Sequence, residues 1–176
     1  MDLKNIILDK SDIKRILTRI TCEIIERHKG VDNLVLIGIH TRGVYLAKRI
    51  RDGFADIEGN EIETGTVDIT MYRDDWTKIS SHPVVKNTEI PFSVEGKQII
   101  LVDDVLFTGR TVRAAMDAVV DFGRPDRIEL AVLVDRGYRE LPIQADYVGK
   151  FIETNLSGTI NVLLEEQDNI DAVLID

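Results

Sequence analysis

The stretch from Lys97 to Thr111, KQIILVDDVLFTGRT, limits what this chain can fold into more than any other. Ile99-Ile100-Leu101-Val102 is an unbroken apolar run between Gly96 and two acids, the pattern of a strand buried on both faces of a parallel sheet. Asp103 and Asp104 fall where that strand should emerge. Thr108-Gly109-Arg110-Thr111 then leads into Val112, Ala115, Met116, Val119 and Val120, spaced as one face of a helix, with Gly123 as its stop. A helix opening on a Gly-containing loop offers free N–H groups and a positive dipole end, and the hydroxyls of Thr108 and Thr111 add donors around a phosphate. Two carboxylates beside it accept hydrogen bonds from a vicinal diol or a hydrated divalent metal. A diol next to a phosphate points to a ribose 5-phosphate. Taken singly, the acid pair is equally a strand-end cap and TGRT an ordinary helix start. There is no GxGxxG and no GxxxxGK[ST] to support a dinucleotide fold or a P-loop.

The rest of the chain repeats the pattern. Leu34 to Ile39 is a second apolar run, joined by Thr41-Arg42-Gly43 to a helix carrying Val44, Ala47, Ile50 and Phe54. Arg42 and the loop amides can hold an anion, although a plain βα turn has the same look. Ser11 is the expected N-cap of a first helix with Ile13, Ile16, Leu17, Ile20, Ile24 and Ile25 on its apolar side, ending at Gly30. Ile62 to Thr70 alternates as a strand, and Thr77 to Glu89 has no period, as expected of a long binding loop. Ile128 to Val134, Ala145 to Lys150, Ile160 to Leu164 and Ala172 to Ile175 complete the expected strands. Alternating strands and helices predict an α/β domain with a mostly parallel sheet flanked by helices, one domain over residues 1–176.

Composition narrows the setting. With 31 acids against 22 Lys and Arg the formal charge is -9, which opposes nucleic acid and membrane surfaces unless a local basic patch overrides it. The single Cys22 allows no intramolecular disulfide, no Cys/His cluster has metal spacing, and with Asp2, Lys4 and Asp9 after Met1 and no long apolar stretch, neither a signal peptide nor a membrane span is expected. A cytoplasmic setting is expected.

IILVDDVLFTGRT resembles the 5-phosphoribosyl-1-pyrophosphate (PRPP) signature of type I phosphoribosyltransferases. Together with LTRI, GIHTRG, DITMYRDD and GRPDRIELAVLVDRGYRELPIQADYVGK, in this order, it is similar to the bifunctional pyrimidine operon attenuators and uracil phosphoribosyltransferases. The likeness covers nearly the whole chain. It implies a type I core with a small hood, transfer of a phosphoribosyl group from PRPP to uracil giving UMP, Mg²⁺ held mainly through PRPP, and UMP-responsive binding of a pyrimidine operon leader RNA by a homo-oligomer. It further implies that Asp103, Asp104 and Arg73 serve catalysis, and that Thr41 and Arg42 with the run Asp103, Asp104, Val105, Leu106, Phe107, Thr108, Gly109, Arg110 and Thr111 bind PRPP. Val134, Arg136 and Ile160 border the base by the same resemblance. Thr18, Arg19, Arg27, Arg139 and Lys150 form its RNA-binding face, while Cys22 and Gln144 stand where the family tends to place His and Arg. Alternatives from other classes are a regulator with little or no transferase activity, a purine phosphoribosyltransferase, and a receiver domain using the acid pair for Mg²⁺. The last would carry its acids early in the chain, and here they follow the midpoint.

Overall fold

Apolar runs buried on both faces dictate the centre of the molecule. The computed structural model describes residues 5–30, 32–73, 87–153 and 158–175, so most of the expected long loop lies outside the described residues. The elements are β1 (Ile6–Leu8), α1 (Lys10–His28), β2 (Leu34–Ile39), α2 (Arg42–Glu58), β3 (Glu63–Val67), β4 (Gln98–Leu106), α3 (Arg110–Val120), β5 (Arg127–Asp135), β6 (Tyr147–Phe151), β7 (Ile160–Leu163), α4 (Glu165–Asp168) and β8 (Ala172–Ile175). Five strands form a parallel sheet in the order β3-β2-β4-β5-β6.

From β2 the chain moves outward to β3, and from β4 it moves the other way through β5 to β6. Right-handed crossovers in opposite directions put their helices on opposite faces of the sheet. Accordingly Leu46, Ala47, Ile50 and Phe54 of α2 share one core with Ile13, Leu17, Ile20 and Ile24 of α1. Val112, Ala114, Ala115, Ala118 and Val119 of α3 share the other with Ile99, Leu101, Leu130 and Val132. The reversal point between β2 and β4 is where an open parallel sheet leaves a crevice at its strand ends.

The terminal strands belong to a separate antiparallel sheet, β1-β8-β7, in which Ile6 opposes Leu174 and Ile160 opposes Ile175. This is the small hood.

Several boundaries differ from expectation. Asp9, not Ser11, caps α1: its carboxylate accepts from Asp12 N–H while Asp12 accepts from Asp9 N–H, a reciprocal box that Ser11 joins only by donating to Asp9. Strand β3 stops at Val67 because Asp68 turns back to accept from Thr70 N–H. Helix α3 ends at Val120, which is exposed rather than buried. Strand β4 continues through both acids to Leu106, so the acid pair lies within the strand rather than beyond it.

Candidate active site

At the reversal point, helix α2 begins almost on top of β4. A Cβ on Gly43 would sit 2.3 Å from the Val102 carbonyl oxygen, and one on Gly38 would sit 2.5 Å from the Val44 Cα. Only glycine at both ends of GIHTRG lets the loop come this close, and the approach sets Arg42 beside the acid pair. Its guanidinium donates from Nε (3.2 Å) and Nη2 (2.9 Å) to Asp168 in α4 of the hood. Asp168 also accepts from Leu164 N–H at 2.9 Å. Against the cost of desolvation, these bonds hold the Asp168 carboxyl below its ordinary range. Further along α2, Tyr45 reaches Gln167, and Arg49 pairs with both Glu166 and Asp171, so one stripe of the helix grips the hood. Thr41 holds the N-cap position of α2 without a capping bond from its side chain.

Asp103 is buried and Asp104 partly so. Each is fixed by main chain: Asp104 N–H donates to Asp103 Oδ1 and Val105 N–H to Asp104 Oδ1, both at 2.9 Å. Burial, and then the charge of Asp104, push the Asp103 carboxyl well above the usual range. Burial raises Asp104 too, with the Val105 bond and the charge of Arg42 pulling the other way. Two adjacent carboxylates that resist ionisation because they are buried form a place where incoming positive charge is stabilised.

Beyond Leu106 the chain makes a tight loop over Phe107, Thr108 and Gly109, the last at φ 91°, a left-handed conformation that suits glycine, before Arg110 opens α3. The loop leans on the segment that follows β5. Arg136 N–H donates to the Leu106 carbonyl, and the amides of Glu140 and Leu141 donate to that of Thr108. Arg139 donates to the Phe107 carbonyl at 2.9 Å, and Arg110 pairs with Glu140. Thr111 is half-buried in the first turn of α3.

Of the residues expected around a base, Arg136 lies at the mouth of this loop. Its guanidinium stacks 4.0 Å from the Phe107 ring centroid and donates to the Gly158 carbonyl at 2.6 Å. Val134 is fully buried and Ile160 nearly so, both in the core on the α1 side, where Val105 packs against them. Arg73 is the last described residue of its segment, half-buried after Tyr72, whose hydroxyl donates to Asp121 and whose carbonyl accepts from Arg113.

The five residues expected on a second face separate into two places. Thr18, Arg19 and Arg27 lie on the exposed side of α1, and Lys150 on β6 reaches the Ile7 carbonyl at 3.3 Å. Arg19 joins α1 to β6, donating to the carbonyls of Val148 and Gly149 and pairing with Glu23. Arg27 lies over the Tyr147 ring, between Asp146 and the buried Glu129, which also takes bonds from His28, Tyr147 and Arg127. Arg139 is not with them; its guanidinium is turned into the loop just described.

Asp168 and Asp135 are additions that the sequence pattern alone did not supply. Asp135 accepts from Gly137 N–H and from Arg139, and the Asp-x-Gly spacing was the available signal for its turn. Asp168 gives no such signal, since it stands 126 residues from its partner. Among the described residues no group of three or more His, Cys, Asp or Glu side chains could hold a metal ion, and no helix is long and apolar enough to cross a membrane.

The chain matches the Phosphoribosyl transferase domain family over residues 4–166. It is 57% identical to the Bifunctional protein PyrR of Desulfosudis oleivorans over 177 aligned residues, covering 100% of this chain and 98% of the relative. It is 58% identical to the protein of the same name from Bacillus mycoides, over 99% of this chain and 98% of that one. Among solved structures it resembles a hypoxanthine phosphoribosyltransferase from Staphylococcus aureus, with a TM-score of 0.73 at 20% identity over 98% of this chain and 92% of that one. The Trypanosoma cruzi hypoxanthine phosphoribosyltransferase gives 0.73 at 17% identity, over 98% and 95%. Likeness at that identity establishes the fold, a type I phosphoribosyltransferase core under a hood.

Proposed function

The chain belongs to the Phosphoribosyl transferase domain family, and on that premise we propose that it transfers the phosphoribosyl group of PRPP to uracil, giving UMP and pyrophosphate. We further propose that it binds pyrimidine operon leader RNA in response to UMP. The observation that carries the enzymatic reading is the meeting of two anion loops at the sheet's reversal point, with the acid pair between them. The loop at Thr108, Gly109, Arg110 and Thr111 takes the 5-phosphate, Asp103 and Asp104 take the ribose hydroxyls, and Arg42 with Thr41 takes the pyrophosphate. Arg136, with Val134 and Ile160, borders the uracil.

Breaking the bond to pyrophosphate leaves the ribose cationic, and no nucleophilic side chain is required. The acid pair gains a further counter-charge as that cation develops, so it is stabilised more in the transition state than at rest. Arg42 offsets the charge on the departing pyrophosphate, as does Arg73. When bound, Mg²⁺ supplies further neutralisation of the pyrophosphate. The carboxylates of Asp103 and Asp104 are hard oxygen acceptors of the kind that would suit a hydrated Mg²⁺.

The relatives named Bifunctional protein PyrR support the second role. Thr18, Arg19, Arg27 and Lys150 on α1 and β6 supply the basic patch, and binding through such contacts weakens as salt rises.

Purified protein given PRPP, Mg²⁺ and each free nucleobase should form UMP from uracil alone and only with the metal. Turnover with hypoxanthine or guanine but not uracil would overturn the substrate. Leader RNA should bind more tightly with UMP and lose affinity at high salt. An Arg19→Ala, Arg27→Ala pair that binds as well as the parent would remove the regulatory role and leave the enzyme.

A further inference from the structure

Arg139 is an exposed-looking cation in the sequence, yet its guanidinium is spent on its own chain. It carries five N–H donors. Nε donates to the Ile143 carbonyl at 2.9 Å, and Nη1 to those of Phe107 at 2.9 Å and Gly137 at 2.8 Å. Nη2 donates to Asp135 Oδ2 at 2.6 Å. Four of the five donors are thus engaged before any ligand arrives, and the side chain is half-buried.

The carbonyl at Phe107 is the middle one of three that point the same way. Leu106, Phe107 and Thr108 each offer their oxygen to the segment after β5: to Arg136 N–H, to Arg139, and to the amides of Glu140 and Leu141. In a trans peptide the C=O and the following N–H point in opposite directions. Drawing these three oxygens to one side therefore turns the amides of Phe107, Thr108 and Gly109 to the other, toward the opening of the loop. Successive amides directed into one concavity are what binds an anion. A Cβ on Gly109 would come within 3.3 Å of the Ile143 Cβ and 3.5 Å of the Leu141 Cβ, so the same segment lies close beside the end of the loop.

We propose that Arg139 is a positioning residue for the phosphate loop: it holds the Phe107 carbonyl so that the loop amides stay aimed at a nucleotide 5-phosphate. It is not a contact to RNA phosphate. The inference rests on the nucleotide reading of this loop given above. Lysine cannot replace it, because a point charge with three donors on a flexible stem does not span four acceptors held in a fixed fork.

The test compares UMP with uridine, which differ only in the phosphate, in the parent and in Arg139→Lys, Arg139→Gln and Asp135→Asn. The expected result is a loss of UMP affinity of at least about tenfold in the Arg139 variants, with uridine affinity changed less than about twofold, and a smaller effect in the same sense for Asp135→Asn. RNA affinity, measured at saturating UMP across a range of salt, should return to that of the parent with an unchanged salt slope. Equal losses for UMP and uridine would overturn the inference by making Arg139 a general stabiliser. So would an unchanged UMP affinity with an RNA salt slope shallower by about one cation, the signature of a direct phosphate contact. A parent that prefers UMP no more than uridine would instead sink the nucleotide reading, and this inference with it.

Discussion

The two strand-loop-helix units that meet at the reversal point share one sequence pattern and are secured by different means. The loop between β4 and α3 is held by main-chain bonds and by Arg139, all from the segment directly after the neighbouring strand. The loop between β2 and α2 is held close by two glycines, but its Arg42 is fastened to Asp168 in the hood. A loop fixed through carbonyls has nothing to give up when a ligand binds, because the groups that fix it are not the groups that bind. Arg42 is both the holder of the hood and the proposed ligand for pyrophosphate, so its two tasks are coupled. The contrast is between a preformed cradle and an adjustable one.

The largest effect should come from the acid pair that the two loops share. Asp104→Asn keeps the shape and removes the carboxylate proposed to face the ribose, and turnover should fall by about a hundredfold or more with the fold retained. Asp103→Asn should act in the same direction. Near-normal turnover in both would reduce the pair to a structural feature of β4.

Next comes Arg42→Ala, expected to lower kcat/KM for PRPP by about ten- to a hundredfold while UMP, which has no pyrophosphate, binds within about twofold of the parent. Equal loss for both ligands would mean that the two loops do not divide the substrate between them.

Asp168→Asn sharpens the coupling and should be milder, shifting KM for PRPP by a few-fold with kcat little changed. Its sign is informative. A lower KM would mean that Asp168 competes with pyrophosphate for Arg42, and a higher one that it orients the guanidinium for it. No change in either constant would remove the coupling between hood and loop.

The smallest effect is on stability. The folded pKa values of Asp103 and Asp104 are raised, so the contribution of the pair is fully present below the ordinary carboxylate value and is lost as pH rises through the raised values. The parent's Tm should therefore decline over that window relative to Asp103→Asn, which should be the more stable protein at neutral pH despite its lost activity. Parallel Tm profiles for the two proteins would show that burial of the pair costs the fold nothing.

Much of the parallel core is legible in the residues, because a run buried on both faces is apolar, as β2 is throughout and as residues 99–102 of β4 and 130–134 of β5 are. The acid pair was legible as chemistry and misplaced as geometry. Polar residues ordinarily mark a strand's end, yet β4 keeps its register with β5 as far as Leu106 opposite Asp135. The hood strands are three or four residues long and pair the two ends of the chain, so no local period announces their partners. Ser11 looked like the helix cap because it directly precedes the periodic stretch, but the Asp9-x-x-Asp12 spacing was the stronger signal. Arg139 was the hardest, since three of its four acceptors are backbone carbonyls and carbonyls leave no trace in a sequence.

Arg19 has a consequence of another kind. Strand β6 ends the order of the five-stranded sheet, and a strand in that position invites another chain to pair with it. The Arg19 guanidinium donates to the carbonyls of Val148 and Gly149 while its charge remains half in solvent, so a strand approaching β6 meets a cation there. The same side chain that would attract nucleic acid thus guards the protein against sticking to itself. Shortening it removes those two bonds as well as a cation, so Arg19→Ala should change colloidal behaviour and not only affinity.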